Sequence, residues 1–113
     1  MPWFFSLLFL ACAPEEAPAC PRDPPLSYDN FGQGFLRRHC AGCHSSLLPQ
    51  EQRNGAPISI NLDSYADAKT WADRIAATAL SDAPTMPPGG GPTDDEKALL
   101  AEWLDCEFEA ELP

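Results

Sequence analysis

The sequence predicts a small all-α domain, three main helices joined by long irregular loops, and three observations carry that expectation. Apolar residues recur at helical spacing in three separate stretches, each opened by a residue type that caps helices. The 13 prolines and 7 glycines fall mostly between those stretches, where they exclude regular structure. No βαβ pattern interrupts them. At 113 residues the chain suffices for one domain, and a core that small needs support from a disulfide, a metal or a prosthetic group.

The N-terminal run Trp3 to Ala11 is apolar but too short to span a bilayer, and Cys12, Pro14 and two glutamates follow at once. Residues 1–11 therefore read as an export signal. Phe9-Leu10-Ala11-Cys12 resembles the end of a bacterial lipoprotein signal, which makes Cys12 the expected lipidation site, although Phe9 stands where Leu is usual and no Lys or Arg precedes the run. Ordinary cleavage after Ala13 or Ala19 is the alternative. Residues 12–26 then form a tether too rich in proline for helix or strand pairing, ahead of a domain spanning 27–113.

Ser27 is placed to cap a first helix whose apolar residues Tyr28, Phe31, Phe35 and Leu36 lead into Arg38-His39-Cys40-Ala41-Gly42-Cys43-His44. That last stretch contains Cys-x-x-Cys-His, the attachment sequence for a c-type haem. Two thiols three residues apart on one helical turn can each form a thioether to a vinyl group of one porphyrin, and the tethered imidazole of His44 then reaches the iron. With five cysteines and two histidines in the chain, chance would place this pattern in roughly 0.004 of such sequences. A zinc site would need a second ligand pair, which is lacking, and a thioredoxin-like dithiol or plain disulfide leaves His44 unexplained. One covalent haem c is the expected cofactor, with a thiol or zinc module as the distant alternative.

Residues 45–63 hold no period and read as a long loop, punctuated by Pro49, Asn54, Gly55 and Pro57. Ser64 with Asp67 opens a second helix to about Leu80, with Tyr65, Ala68, Trp71, Ala72, Ile75 and Ala79 on one face. Ser81 to Pro92 is a proline-stiffened loop displaying Met86. After signal removal Met86 is the one remaining methionine, and His39 is held on the side of Cys40, so Met86 is the expected second iron ligand beside His44. Thr93 with Glu96 forms a capping box for the last helix, whose apolar face is Leu99, Leu100, Trp103 and Leu104. Its other face is acidic, eight carboxylates between Asp94 and Glu111 against Lys97.

From Ser27 to Cys106 these parts resemble the small class I monohaem cytochromes c. The resemblance implies a cytochrome c-like fold wrapped around the haem, with the first and last helices crossing where Gly32 and Leu36 meet Leu100 and Trp103. Leu36 departs from the usual aromatic, and Phe35 precedes it. It further implies a proline carbonyl accepting the hydrogen bond of the proximal imidazole, for which Pro57 is the best match and Pro49 the alternative. Haem propionates require buried donors, and Arg53, Tyr65, Trp71 and Arg74 are the candidates, although Arg74 could equally pair with Asp73 or Asp67. With Cys12 taking a lipid and Cys40 and Cys43 a haem, Cys20 and Cys106 remain, on elements the resemblance brings together. A Cys20–Cys106 disulfide is expected; the alternative is a free Cys20 and an apolar, buried Cys106.

The expected function is single-electron transfer in the bacterial cell envelope, periplasmic and lipid-anchored, through His/Met-ligated haem. A ligand-sensing haem protein, or the haem subunit of a larger redox enzyme, is the alternative. No catalytic constellation is read, so an enzyme is not expected. The net charge of −10 argues against nucleic acid and anionic membrane, and points to redox partner proteins with a basic patch.

Overall fold

The computed structural model describes residues 20–113. The expected export signal, the expected lipidation site Cys12 and the tether as far as Ala19 lie outside the described residues. Among those described, the regular elements are all helical: α1 (Gln33–His39), α2 (Tyr65–Ala79) and α3 (Asp94–Phe108). A π-helical segment, Tyr28–Gly32, runs directly into α1, and a single 3-10 turn, Gln50–Gln52, interrupts the long loop.

The π-helical segment that leads into α1, and helices α2 and α3, each begin where a side chain satisfies otherwise unpaired amides. Ser27 accepts from the Asn30 N–H while Asn30 returns a bond to the Ser27 N–H, a reciprocal box built with asparagine. Ser64 accepts from the Asp67 N–H, and Thr93 and Glu96 form the third box. Helix α3 ends on Glu109 in the left-handed region (φ 51°), which lets the Ala110 N–H reach back to the Leu104 carbonyl and buries Ala110.

The core is the meeting of α2 and α3 with the first helical segment. Leu100, Trp103 and Leu104 of α3 are fully buried against Phe35 and Leu36 of α1 and the alanine-rich face of α2, where Ala68, Ala72, Ile75, Ala76 and Ala79 are buried. Small side chains on α2 let the two long helices approach closely. Where the first helical segment meets α3, Gly32 is buried, and a Cβ there would overlap the Trp103 ring. The expected Gly32–Trp103 crossing contact is therefore present. The wide π turn, rather than the regular helix expected over these residues, coincides with it.

The packed unit starts earlier than Ser27. Cys20 is disulfide-bonded to Cys106 with Cα atoms 5.1 Å apart, and Arg22 grips Glu102 through two bonds of 2.6 and 3.1 Å. Residues 20–26 are irregular, as their prolines dictate, yet they are fastened along α3. At the far end the Glu111 N–H donates to Asp73, tying the C-terminal tail to α2. No helix among the described residues is long and apolar enough to cross a membrane.

Candidate functional site

Helix α1 delivers the Cys40-x-x-Cys43-His44 turn. The Cys40 and Ala41 N–H groups both return to the Leu36 carbonyl, and the Cys43 and His44 N–H groups both return to the Cys40 carbonyl at 3.1 and 2.9 Å. Cys40, Cys43 and His44 thus share one tight turn just past the helix. All three are half-buried. Burial, and secondarily the charge of Cys43, pushes the Cys40 thiol up to about 11, the reverse of the lowered value that marks a reactive dithiol.

His44 is held at both ends of the residue by one short segment. The Leu62 N–H donates to the His44 carbonyl at 2.7 Å, and the His44 Nδ1 lies 3.1 Å from the Ile60 carbonyl oxygen. A carbonyl can only accept, so Nδ1 is the donor of this bond, and in the neutral ring Nε2 is then the nitrogen with the lone pair. The donor set of this turn is two thiols and one imidazole nitrogen, which fits a porphyrin with two vinyl groups and one axial iron position. Among the described residues no group of three or more His, Cys, Asp or Glu is gathered to hold a metal ion.

The acceptor differs from the expected proline. The Pro57 carbonyl accepts instead from Arg53 Nη2 at 2.8 Å, and the Pro49 carbonyl accepts the Gln52 N–H of the 3-10 turn. The Pro57 carbonyl also accepts the Ile60 N–H at 3.1 Å, and it is the Ile60 carbonyl, three residues on and itself bonded by Arg53 Nη2, that faces His44.

Arg53 is also placed otherwise than expected of a propionate donor. It is 0% exposed, its Nε donates to Ala56, its Nη1 to Ser45 at 2.6 Å, and its Nη2 to both Pro57 and Ile60 at 2.8 and 2.7 Å. All four acceptors are backbone carbonyls. An irregular loop has no ladder to pair its carbonyls, and Arg53 ties these four together, adding to the Leu48 N–H on Ser45, Gln50 Nε2 on Ala56 and the Ile60 N–H on Pro57. Close by, burial works to raise the Asp63 carboxyl, but hydrogen bonds from Ser46 and Ser45 and the charge of Arg53 outweigh it and hold that carboxyl below its ordinary value.

The other expected donors sit apart from the His44 turn's hydrogen bonds. Tyr65 packs edge-on to Tyr28 and against Phe108, with ring centroids 6.0 and 5.5 Å away. Trp71 is half-buried at the margin of the core, and Arg74 is exposed. No ion pair among the described residues involves Arg74, since Asp67 accepts from the Asp63 N–H and Asp73 from Glu111. Met86 lies on its loop with its side chain 39% exposed, and the Thr85 and Met86 N–H groups both bond the Thr78 carbonyl near the end of α2. The competing histidine, His39, is committed elsewhere: its ring packs on Phe35 and its Nε2 lies 2.7 Å from Glu96, with Arg38 on the same carboxylate.

Two residues central to this arrangement escape sequence reasoning. Ile60 acts through its backbone, so its side chain carries no signal. Arg53 is singled out by the sequence as a propionate donor, but nothing in the sequence assigns its donors to the loop's own carbonyls.

Comparison with protein families, with curated proteins and with solved structures finds no match for this chain.

Proposed function

We propose that this chain is a monohaem c-type electron carrier of the cell envelope, with a cytochrome c-like arrangement of its three helices. The observation that carries the reading is the His44 tautomer: with Nδ1–H spent on Ile60, Nε2 is free to bind iron one turn from two cysteine thiols. Cys40 and Cys43 would hold the porphyrin covalently, and His44 and Met86 would be the ligands of its iron. A haem bound there supplies a one-electron ferric/ferrous couple.

The chain's own residues have three tasks in that reading. Ile60 and Leu62 fix His44 in orientation and protonation. His39, locked to Glu96, is kept from competing for the metal. Cys20–Cys106 closes the first helical segment onto α3 in an oxidising compartment. The acidic face of α3 suits a redox partner with a basic patch, and lipid on Cys12 would be the membrane attachment.

Maturation in an exporting host with c-type haem attachment tests this. The reading expects a haem spectrum with sharp reduced-state bands, lost in Cys40→Ser/Cys43→Ser, and no carbon monoxide binding to the reduced protein. Carbon monoxide binding at once would favour the ligand-sensing alternative, and absence of any haem band would overturn both.

A further inference from the structure

We propose that Arg53 is a positioning residue that sets the electron-donating power of His44 by competing for its hydrogen-bond acceptor. The inference rests on the haem reading above and adds a role which that reading does not require.

Three observations meet here. Arg53 is completely buried, and none of the ion pairs among the described residues involves it. Its Nη2 reaches the Ile60 oxygen at 2.7 Å, the same atom that faces His44 Nδ1 at 3.1 Å. The other guanidinium bonds go to Ser45, next to His44, and to Ala56 and Pro57 of the loop.

Clamping a loop does not by itself explain a buried charge. A neutral amide could satisfy two of these carbonyls without the desolvation cost of a guanidinium, and a buried cation lacking a hydrogen-bonded carboxylate is the costly choice. What the charge adds is electrostatic. A carbonyl oxygen has two lone pairs, and here one goes to a cationic donor at the shorter distance, leaving the weaker share to His44. A weaker bond at Nδ1 makes Nε2 less basic, hence a poorer donor to iron. The positive charge itself also opposes the extra positive charge of the ferric state. Both effects have one sign: Arg53 favours the reduced form and raises the potential. Asp63, whose carboxylate feels Arg53, offsets part of the field.

The test uses the haem-loaded protein and two variants. Arg53→Gln removes charge and fork; Arg53→Lys keeps the charge but cannot serve both Nη contacts. The midpoint potential and the His44 Nδ1–H proton resonance of the reduced protein are read for each. Arg53→Gln should shift the redox equilibrium toward the ferric form roughly tenfold, which is about 59 mV for one electron, and move the Nδ1–H resonance downfield as the Ile60 bond strengthens. Arg53→Lys should recover part of the potential while keeping the downfield resonance. Should the glutamine variant fail to fold, the lysine variant decides alone through that resonance. A loss of stability with potential and resonance both unchanged would leave Arg53 a loop clamp and overturn the proposal. A wild-type chain that takes up no haem would instead overturn the haem reading, and the His44 ring nitrogen shifts of the haem-free variants would then decide whether Arg53 competes for Ile60.

Discussion

Replacing Gly32 with alanine sets two well-known effects against each other at one position. In a solvent-facing helix the change would stabilise by roughly 0.5–1 kcal/mol, because alanine loses less conformational freedom on folding. At Gly32 the new Cβ would overlap three ring atoms of Trp103, Cζ2, Cε2 and Cη2. Trp103 is 0% exposed and packed by Phe31 and Phe108, so the ring cannot retreat. Overpacking of this kind costs about 1–3 kcal/mol, and simultaneous overlap with three atoms of a rigid ring belongs at the upper end. The overlap wins, for a net loss of about 2 kcal/mol and a melting temperature lower by roughly 10 °C in a unit of this size. Gly34 is the internal control: it lies exposed in α1 and a Cβ there meets nothing within 4 Å. Urea unfolding followed by far-UV circular dichroism should show Gly32→Ala destabilised and Gly34→Ala stabilised by about 0.5–1 kcal/mol, with unchanged denaturant slopes. A neutral or stabilising Gly32→Ala would refute the crossing as drawn.

Opening the disulfide, with a sequence separation of 86 between its cysteines, should cost about 4–5 kcal/mol in the chain-entropy model, read as the difference in urea midpoint between oxidised protein and Cys20→Ser/Cys106→Ser. An unchanged midpoint would mean that the Arg22–Glu102 pair and the helix packing suffice. Met86→Ala should leave haem attached but open the reduced protein to carbon monoxide and lower its potential; an unaltered spectrum would remove Met86 from the ligand set. Acid should unfold the protein from the carboxylate side. Glu96 is held below its ordinary value first by the His39 hydrogen bond and then by the Thr93 N–H, and Asp63 is lowered as well. Groups depressed in the folded state contribute stability above their unfolded values and lose it as pH falls through the folded ones. Stability should therefore decline below about pH 4.5, and Glu96→Gln should flatten that decline; an identical acid limb in the variant would contradict the role given to Glu96.

Helix positions were legible because local chemistry and packing agree. Ser64 and Thr93 cap the helices their spacing announces, and the alanine and leucine faces of α2 and α3 are the faces buried. The close approach at Gly32 was legible through the resemblance, as a glycine placed opposite a tryptophan. The loop was not, since a chain without periodicity says nothing of where its carbonyls point. Pro57 looked suited to receive His44, yet its oxygen takes the Ile60 N–H and Arg53, and the Ile60 carbonyl faces His44 in its place. Arg53 itself looked like a donor to a haem propionate. Only the folded loop reveals that its donors are consumed by four carbonyls. The disulfide from Cys20 to Cys106 was legible from cysteine counting and the resemblance, whereas the Arg22–Glu102 pair, 80 positions apart in sequence, was not.

The central claim, that Cys40 and Cys43 carry one covalent haem, is met most directly by mass spectrometry of the exported protein after trypsin. Cleavage at Arg38 and Arg53 releases the peptide His39 to Arg53, which holds both cysteines and His44. The account predicts that this peptide carries the mass of one haem and no alkylatable thiol. A peptide with Cys40 and Cys43 free, or joined only to each other, would contradict it.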